Sequence, residues 1–177
     1  MKKLLVITAA ALLLAMAGTA NAVSTNVGVK VARGNSDSTA YSINIAQSYE
    51  PWIVNELFQL APTAELGGHA WVDDDSDVDT VWGAYLAPGL RFSLFTNAPV
   101  QPYLEGSVGG AVNSKSKIDE RDLGSRVLIR SRGSLGLAFG DGYRHRVQGD
   151  VTNYSTWGIT STDDGYSTYG VSYGYSF

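Results

Sequence analysis

Cysteine is absent from the 177-residue sequence, which excludes a disulfide framework, a thiolate metal site and a cysteine nucleophile. Charged residues are also few, at 17%, and acidic residues outnumber basic ones, so that the formal net charge is −4. An acidic chain without a basic stripe argues against nucleic acid as a partner. Beyond the first 22 residues, no apolar run approaches the length of a transmembrane helix.

The N-terminus has the three parts of a secretory signal peptide. Met1–Lys3 is short and basic, Leu4–Ala17 is apolar apart from one threonine, and Ala20–Ala22 fits the small-x-small cleavage pattern. The apolar part is too short for a comfortable membrane span. We therefore predict a cleaved signal peptide over residues 1–22 and one mature domain over residues 23–177.

The last twelve residues, YSTYGVSYGYSF, alternate strictly between large and small side chains. Such a period of two predicts a β-strand with one large apolar face. The large face is mostly tyrosine, whose amphipathic ring suits the edge of a bilayer. A strand of this kind that ends on Phe177 is typical of the closing strand of a bacterial outer-membrane β-barrel, and we expect the barrel assembly machinery to recognise Phe177.

Seven earlier segments alternate in the same way and are bounded by turn residues. Their apolar faces contain Val23, Val27, Val29 and Val31; Tyr41, Ile43, Ile45 and Tyr49; Phe58, Leu60, Leu66 and Val72; Trp82, Leu86, Leu90 and Phe92; Leu104, Val108 and Val112; Val127, Ile129, Leu135, Leu137 and Phe139; and Tyr143, Val147 and Val151. Alternation alone fits a soluble sandwich as well as a membrane barrel. Export, long segments and aromatic residues near the segment ends favour the membrane. We predict an all-β fold, an eight-stranded antiparallel transmembrane β-barrel in a bacterial outer membrane.

In a membrane barrel the polar faces line the lumen. This assigns charges of both signs to the interior, where they can pair. The predicted lumenal set is Glu65, Glu105, Asp150, Arg126, Arg130, Arg132, Arg144 and Arg146. An eight-stranded barrel is filled by such side chains, which argues against a general porin.

Loop lengths indicate an orientation with both termini in the periplasm. The periplasmic turns are then Glu50–Glu56, Leu94–Pro99 and Gly140–Gly142. The external loops would contain Gly34–Ser38, Asp73–Asp77, Ser114–Asp122 and Gly158–Gly165. Short periplasmic turns and longer external loops are the usual asymmetry of these barrels.

Several stretches resemble the lipid A 3-O-deacylases, small outer-membrane esterases that remove an acyl chain from lipopolysaccharide. They are the stretch around Trp52, LAPGLRF (Leu86–Phe92), VQPYLEGSVGGAVNS (Val100–Ser114), Leu123–Ser125, Gly136–Gly142 and NYSTWGITSTDDGYSTY (Asn153–Tyr169). Together they extend over most of the mature chain. The resemblance implies the same barrel fold and a serine ester hydrolase, in which a serine attacks the acyl carbonyl, a histidine takes its proton and a glutamate orients the histidine.

That family carries its chemistry in a His-Tyr-Ser-Asn pattern, followed by Asp-Gly and a Glu. The residues that match are Tyr154, Ser155, Gly158, Asp164 and Gly165. The resemblance makes Ser155 the candidate nucleophile, with Thr156 and Gly158 in the oxyanion and substrate region. Asn153 stands at the histidine position, Thr156 at the second asparagine and Ser167 at the glutamate.

The departures at Asn153 and Ser167 bear on activity, because an asparagine amide cannot serve as a general base. His145 lies eight residues before Asn153, which is ~26 Å along a strand, and His69 has lumenal parity. We therefore predict a catalytically impaired member of the group that contacts lipopolysaccharide through its outer wall. The alternatives are an active lipid A or phospholipid ester hydrolase that uses Ser155 with another base, and a surface interaction or adhesion barrel that acts through its external loops.

No cofactor or metal is expected from the sequence. His69 and His145 have no partner cluster at zinc-ligand spacing. A run of acidic residues lacks the glycine and distal glutamate of an EF-hand loop, and we interpret it as a solvated external loop, with loose contact to a divalent cation as the alternative. This acidic run consists of Asp73, Asp74, Asp75, Asp77 and Asp79.

Overall fold

The computed structural model describes residues 22–73, 80–118, 121–160 and 164–177. Its strands are β1 (Ala22–Gly34), β2 (Ser38–Tyr49), β3 (Ile53–Val54), β4 (Phe58–Asp73), β5 (Thr80–Leu94), β6 (Val100–Asn113), β7 (Lys117–Ile118), β8 (Arg121–Asp122), β9 (Val127–Phe139), β10 (His145–Ser155) and β11 (Tyr166–Ser176), with one 3-10 turn at Asp141–Tyr143. The predicted signal peptide up to residue 21 lies outside the described residues and stays a prediction. So do Asp74, Asp75, Asp77 and Asp79.

Eight long strands form one closed antiparallel sheet. The order is β1, β2, β4, β5, β6, β9, β10 and β11, and β11 pairs back with β1, as in Val31 opposite Val171. Closure leaves the sheet without an unpaired edge, which is what a strand-based structure needs in lipid. The predicted eight-stranded antiparallel barrel is confirmed. No helix in the described parts of the chain is long and apolar enough to cross a membrane.

The two faces of the sheet are reversed relative to a soluble protein. Outward side chains such as Val29, Ile43 and Leu135 are 54%, 60% and 64% exposed. Inward side chains such as Glu65 and Arg132 are buried. An apolar exterior around a charged interior is the arrangement of a membrane barrel and excludes the soluble sandwich.

A network of ion pairs crosses the middle of the lumen. Arg132 joins the carboxylates of Glu65, at 2.9 Å, and Glu105. The Arg91 Nε atom donates to Glu105 at 2.8 Å, and Arg130 lies 3.4 Å from Glu65. A second ion pair joins Lys30 to Asp150. The predicted pairing of lumenal charges is thus present at Glu65, Glu105, Asp150, Arg130 and Arg132.

Two arginines predicted in the lumen lie outside it. Arg126 and Arg144 are exposed, and each stands just before a strand, β9 and β10 respectively. Tyr143 was expected on an outward strand face, but it sits in the turn with a positive φ of 56°. Its hydroxyl donates to the carbonyl oxygens of Thr96 and Ala98 at 2.7 and 2.8 Å. The alternating pattern therefore continues in the sequence beyond the ends of the strands.

The β7–β8 hairpin closes the lumen at the end opposite the termini. Ile118 and Leu123 are buried there in an apolar cluster with the inward-facing Trp71 and Tyr166. The Asp122 carboxylate accepts a hydrogen bond from the Gly124 backbone N–H at 3.0 Å. Its other oxygen lies 3.1 Å from the Lys117 ammonium nitrogen. These two contacts lower the pKa of Asp122 from its ordinary value. The loop thus forms a folded plug over the barrel.

Candidate functional site

The candidate residues meet on the outer wall near the loop end of the barrel. Asn153 on β10 lies directly opposite Ser167 on β11 and, on its other side, opposite Ser131 on β9. All three are half-buried and occupy outward positions, in line with Val151 and Tyr169 further down the wall. The structure therefore brings together the two residues that stand at the family's histidine and glutamate positions.

Asn153 and Ser167 are hydrogen-bonded to each other. The Asn153 Nδ2 atom donates to Ser167 Oγ at 3.0 Å. The Ser167 backbone is held by the β1–β2 loop: its N–H donates to Asn35 Oδ1 at 3.2 Å, and its carbonyl accepts from the Asn35 N–H at 2.9 Å. The pair is neutral, and Asn35 holds its Ser167 member through the backbone.

Ser155, the candidate nucleophile, is the next outward residue of β10 beyond Asn153. Its Oγ atom accepts a hydrogen bond from the Trp157 backbone N–H at 3.1 Å. Within the residues that the structure describes, no titratable side chain is hydrogen-bonded to Ser155, Asn153 or Ser167. A serine without an adjacent base is a weak nucleophile.

Thr156 and Gly158 form the turn that follows Ser155. The Ile159 N–H donates to the Thr156 carbonyl at 3.1 Å, and Trp157 and Gly158 have positive φ angles of 53° and 78°. Gly158 suits this left-handed conformation because it has no Cβ. The Thr156 side chain is buried and its Oγ1 lies 3.0 Å from Thr160 Oγ1. These contacts give both residues a structural role in the turn.

Neither histidine approaches the site. His145 begins β10 at the opposite end of the strand, and its Nδ1 atom lies 2.8 Å from the Tyr173 hydroxyl. His69 is buried in the lumen, where its Nε2 atom lies 2.9 Å from Asn113 Oδ1. The described residues also contain no group of three or more His, Cys, Asp or Glu side chains that could hold a metal ion.

A groove of about 760 Å³ runs across the outer wall below Asn153 and Ser167. Its floor includes Gly106 and Gly133, which lie directly opposite each other on β6 and β9. A Cβ atom at either glycine would meet nothing within 4 Å, so these positions are open. The side chains that rise around them are Leu90, Leu104, Leu135, Val151 and Tyr169. This groove was not predicted from the sequence, where its signal is a pair of glycines at outward positions of otherwise aliphatic strands.

Two arginines lie at the rim beside the groove. Arg33 lies opposite Tyr169 in the sheet. The Arg33 guanidinium is 3.4 Å from the Asp37 carboxylate, and the Arg33 side chain is 55% exposed. Arg121 donates to the backbone carbonyls of Asn35 and Asp164, both at 3.3 Å. Both line a polar cup of about 530 Å³ above the site. This cup was not predicted from the sequence.

The closed barrel, its apolar exterior and its charged lumen define a bacterial outer-membrane β-barrel protein. The family described as lipid A 3-O-deacylase (PagL) matches residues 38–176, and the chain belongs to this family. A curated relative, lipid A deacylase PagL of Pseudomonas aeruginosa, is 28% identical over 79 residues. That alignment covers 45% of this chain and 44% of the relative, so the match spans less than half of the relative's length.

Solved structures show the same fold. A crystal structure of the outer membrane enzyme PagL superposes with a TM-score of 0.76 at 20% identity, covering 85% of this chain and 98% of that one. Neisserial surface protein A superposes with a TM-score of 0.59 at 12% identity, covering 87% and 96% of the two chains. At these identities the likeness concerns the fold alone.

Proposed function

We propose that the protein binds acyl chains of lipopolysaccharide on its outer wall and is a catalytically impaired member of the lipid A 3-O-deacylase family. The observation that supports catalytic impairment is the hydrogen bond between Asn153 and Ser167. These residues stand where the family resemblance places a histidine base and a glutamate. Their contact joins two neutral groups, neither of which can take the proton of Ser155.

The lipid-binding half of the proposal is supported by the groove and the rim above it. An acyl chain laid between Leu104, Leu135 and Val151 would bury apolar surface on both partners. Its polar end would then reach the level of Asn153 and Ser167, with the cationic Arg33 beside it. Arginine suits the phosphate groups of such a lipid because its planar fork donates two parallel hydrogen bonds.

Mass spectrometry of lipid A distinguishes a catalytically impaired protein from an active hydrolase. Cells that overproduce the protein are expected to contain lipid A with the same number of acyl chains as cells without it. The S155A variant should give the same spectrum, because Ser155 has no base to activate it. Loss of one acyl chain with wild type, but not with S155A, would establish the active-hydrolase alternative.

Filling the groove tests the lipid-binding half independently. G106L and G133L place side chains into open space on the outer wall, so folding should be unaffected. We expect lipopolysaccharide retained per barrel after mild detergent extraction to fall about tenfold, which corresponds to roughly 1.4 kcal/mol of lost contact.

G110L is the matched control for this experiment. Gly110 is also an outward position of β6 whose Cβ would meet nothing within 4 Å, but it does not line the groove. The control should retain as much lipid as wild type. Equal losses in all three variants, or no loss in any of them, would contradict binding in the groove.

A further inference from the structure

Cations outnumber carboxylates in the middle of the lumen and in its part nearer the chain termini. The described inward-facing cations there are Lys30, Arg91, Arg130, Arg132 and Arg146, whereas the carboxylates are Glu65, Glu105 and Asp150. Each carboxylate is already engaged by at least one of the first four cations. Unbalanced charge in a poorly solvated interior is costly, so it favours the uptake of a counter-ion.

Arg146 is the cation without a carboxylate. It lies near the start of β10, with its side chain on the lumenal face, and forms no ion pair with any described residue. Arg144, two residues earlier, is exposed to solvent. The lumenal cation without an ion pair is therefore Arg146, whereas the charge of Arg144 is solvated.

A small polar cavity of about 30 Å³ lies beside Arg146. This volume suits one small ion or one or two water molecules. The lining residues that matter are Arg146, Gln148, Arg132 and Glu105. Asn26 and Gly174, near the two chain termini, also line it, so it lies on the opposite side of the charge network from the β7–β8 plug.

Two of the residues that line the cavity, Arg132 and Gln148, carry hydrogen-bond donors without a partner among the described residues. The Nε atom of Arg132 is buried without a hydrogen-bond partner. Gln148 accepts from the Tyr103 hydroxyl through Oε1 at 2.8 Å, which directs its carboxamide oxygen to Tyr103 and leaves the amide nitrogen as a donor. Glu105 would repel an anion, but its two oxygens are paired with Arg91 and Arg132.

We propose that this cavity is a binding site for one small monovalent anion such as chloride, held by the guanidinium of Arg146, the Gln148 amide and Arg132 Nε. The ion supplies Arg146 with a negative partner, since the Glu105 carboxylate that lines the same cavity is paired with Arg91 and Arg132. A monatomic ion fits the volume, whereas sulfate or phosphate would not fit without displacing side chains. The site is independent of the lipid-binding function proposed above.

Bromide is the probe, since it replaces chloride and scatters anomalously. Crystals of the full mature protein grown in sodium bromide are expected to show an anomalous peak between Arg146 and Gln148. At constant ionic strength, the unfolding midpoint in detergent should be about 2–4 °C higher in chloride than in gluconate.

The variants R146Q and R144Q form a matched pair. R146Q should lose the bromide peak and the chloride-dependent shift, whereas R144Q should keep both because Arg144 lies outside the lumen. Should R146Q fail to fold, the wild-type bromide measurement decides alone. Water density without an anomalous peak in wild type, or an unchanged peak in R146Q, would overturn the proposal.

Discussion

Ester hydrolysis is expected to rise about 100- to 10,000-fold in the double variant N153H/S167E, the usual contribution of a positioned general base. The two side chains are already hydrogen-bonded at 3.0 Å across β10 and β11, so a histidine and a glutamate there would be within reach of each other. The new histidine would be the outward neighbour of Ser155 on the same strand. The rate should be measured with lipid A in micelles, by mass spectrometry of the released acyl chain.

The control for this gain is the triple variant N153H/S167E/S155A, which should return to the background rate of wild type. N153Q/S167A alters the same two positions without introducing a base, and no gain is expected from it. A folded double variant that remains inactive would show that the wall near Ser155 lacks more than the base. The buried Thr156 would then be the next position to change.

Stability is expected to fall by about 3–5 kcal/mol in the E65Q variant, because the change leaves the buried Arg130 guanidinium without its carboxylate and Arg132 with Glu105 alone. Glu65 accepts from Tyr85 at 2.6 Å and Asn44 at 2.8 Å, and it lies 2.9 Å from Arg132 and 3.4 Å from Arg130. The substitution keeps the shape of the side chain, but it removes the charge and replaces one acceptor oxygen by an NH2 donor. Urea-induced unfolding in lipid vesicles measures the difference.

E56Q is the matched control, since Glu56 is exposed in the turn before β4. It should change the free energy of unfolding by no more than about 0.5 kcal/mol. A loss in E65Q as small as that in E56Q would mean that water or another group replaces the Glu65 carboxylate in the lumen.

The barrel was predictable because one physical constraint repeats along every strand. A wall that separates lipid from a charged interior must alternate with period two, and that pattern is written into each long strand. The wrong lumenal assignments lie beyond the strand ends, where the wall no longer requires alternation. Arg126 and Arg144 continue the alternation past the strand ends, where the backbone no longer fixes the direction of a side chain.

The site was only partly predictable from the sequence. The family resemblance singled out Asn153, Ser155 and Ser167, but the contact between Asn153 and Ser167 depends on a register that the intervening loop does not reveal. The groove depends on Gly106 and Gly133 becoming neighbours across two strands. The plug was missed because Ile118 is an isolated apolar residue within a polar stretch, so no periodicity marks it.

The polar residues at the site also interrupt the apolar band of the barrel. On β10 and β11 the outward apolar side chains stop at Val151 and Tyr169, whereas on the adjacent β9 they resume beyond Ser131 with Ile129 and Val127. The wall thus has a notch whose hydrophobic height is shorter than that of the wall beside it. Lipid next to such a mismatch accommodates by local thinning of the leaflet. Thinning at this point would bring headgroups and their water closer to Ser155, near the place where the proposed function puts the polar end of a bound lipid.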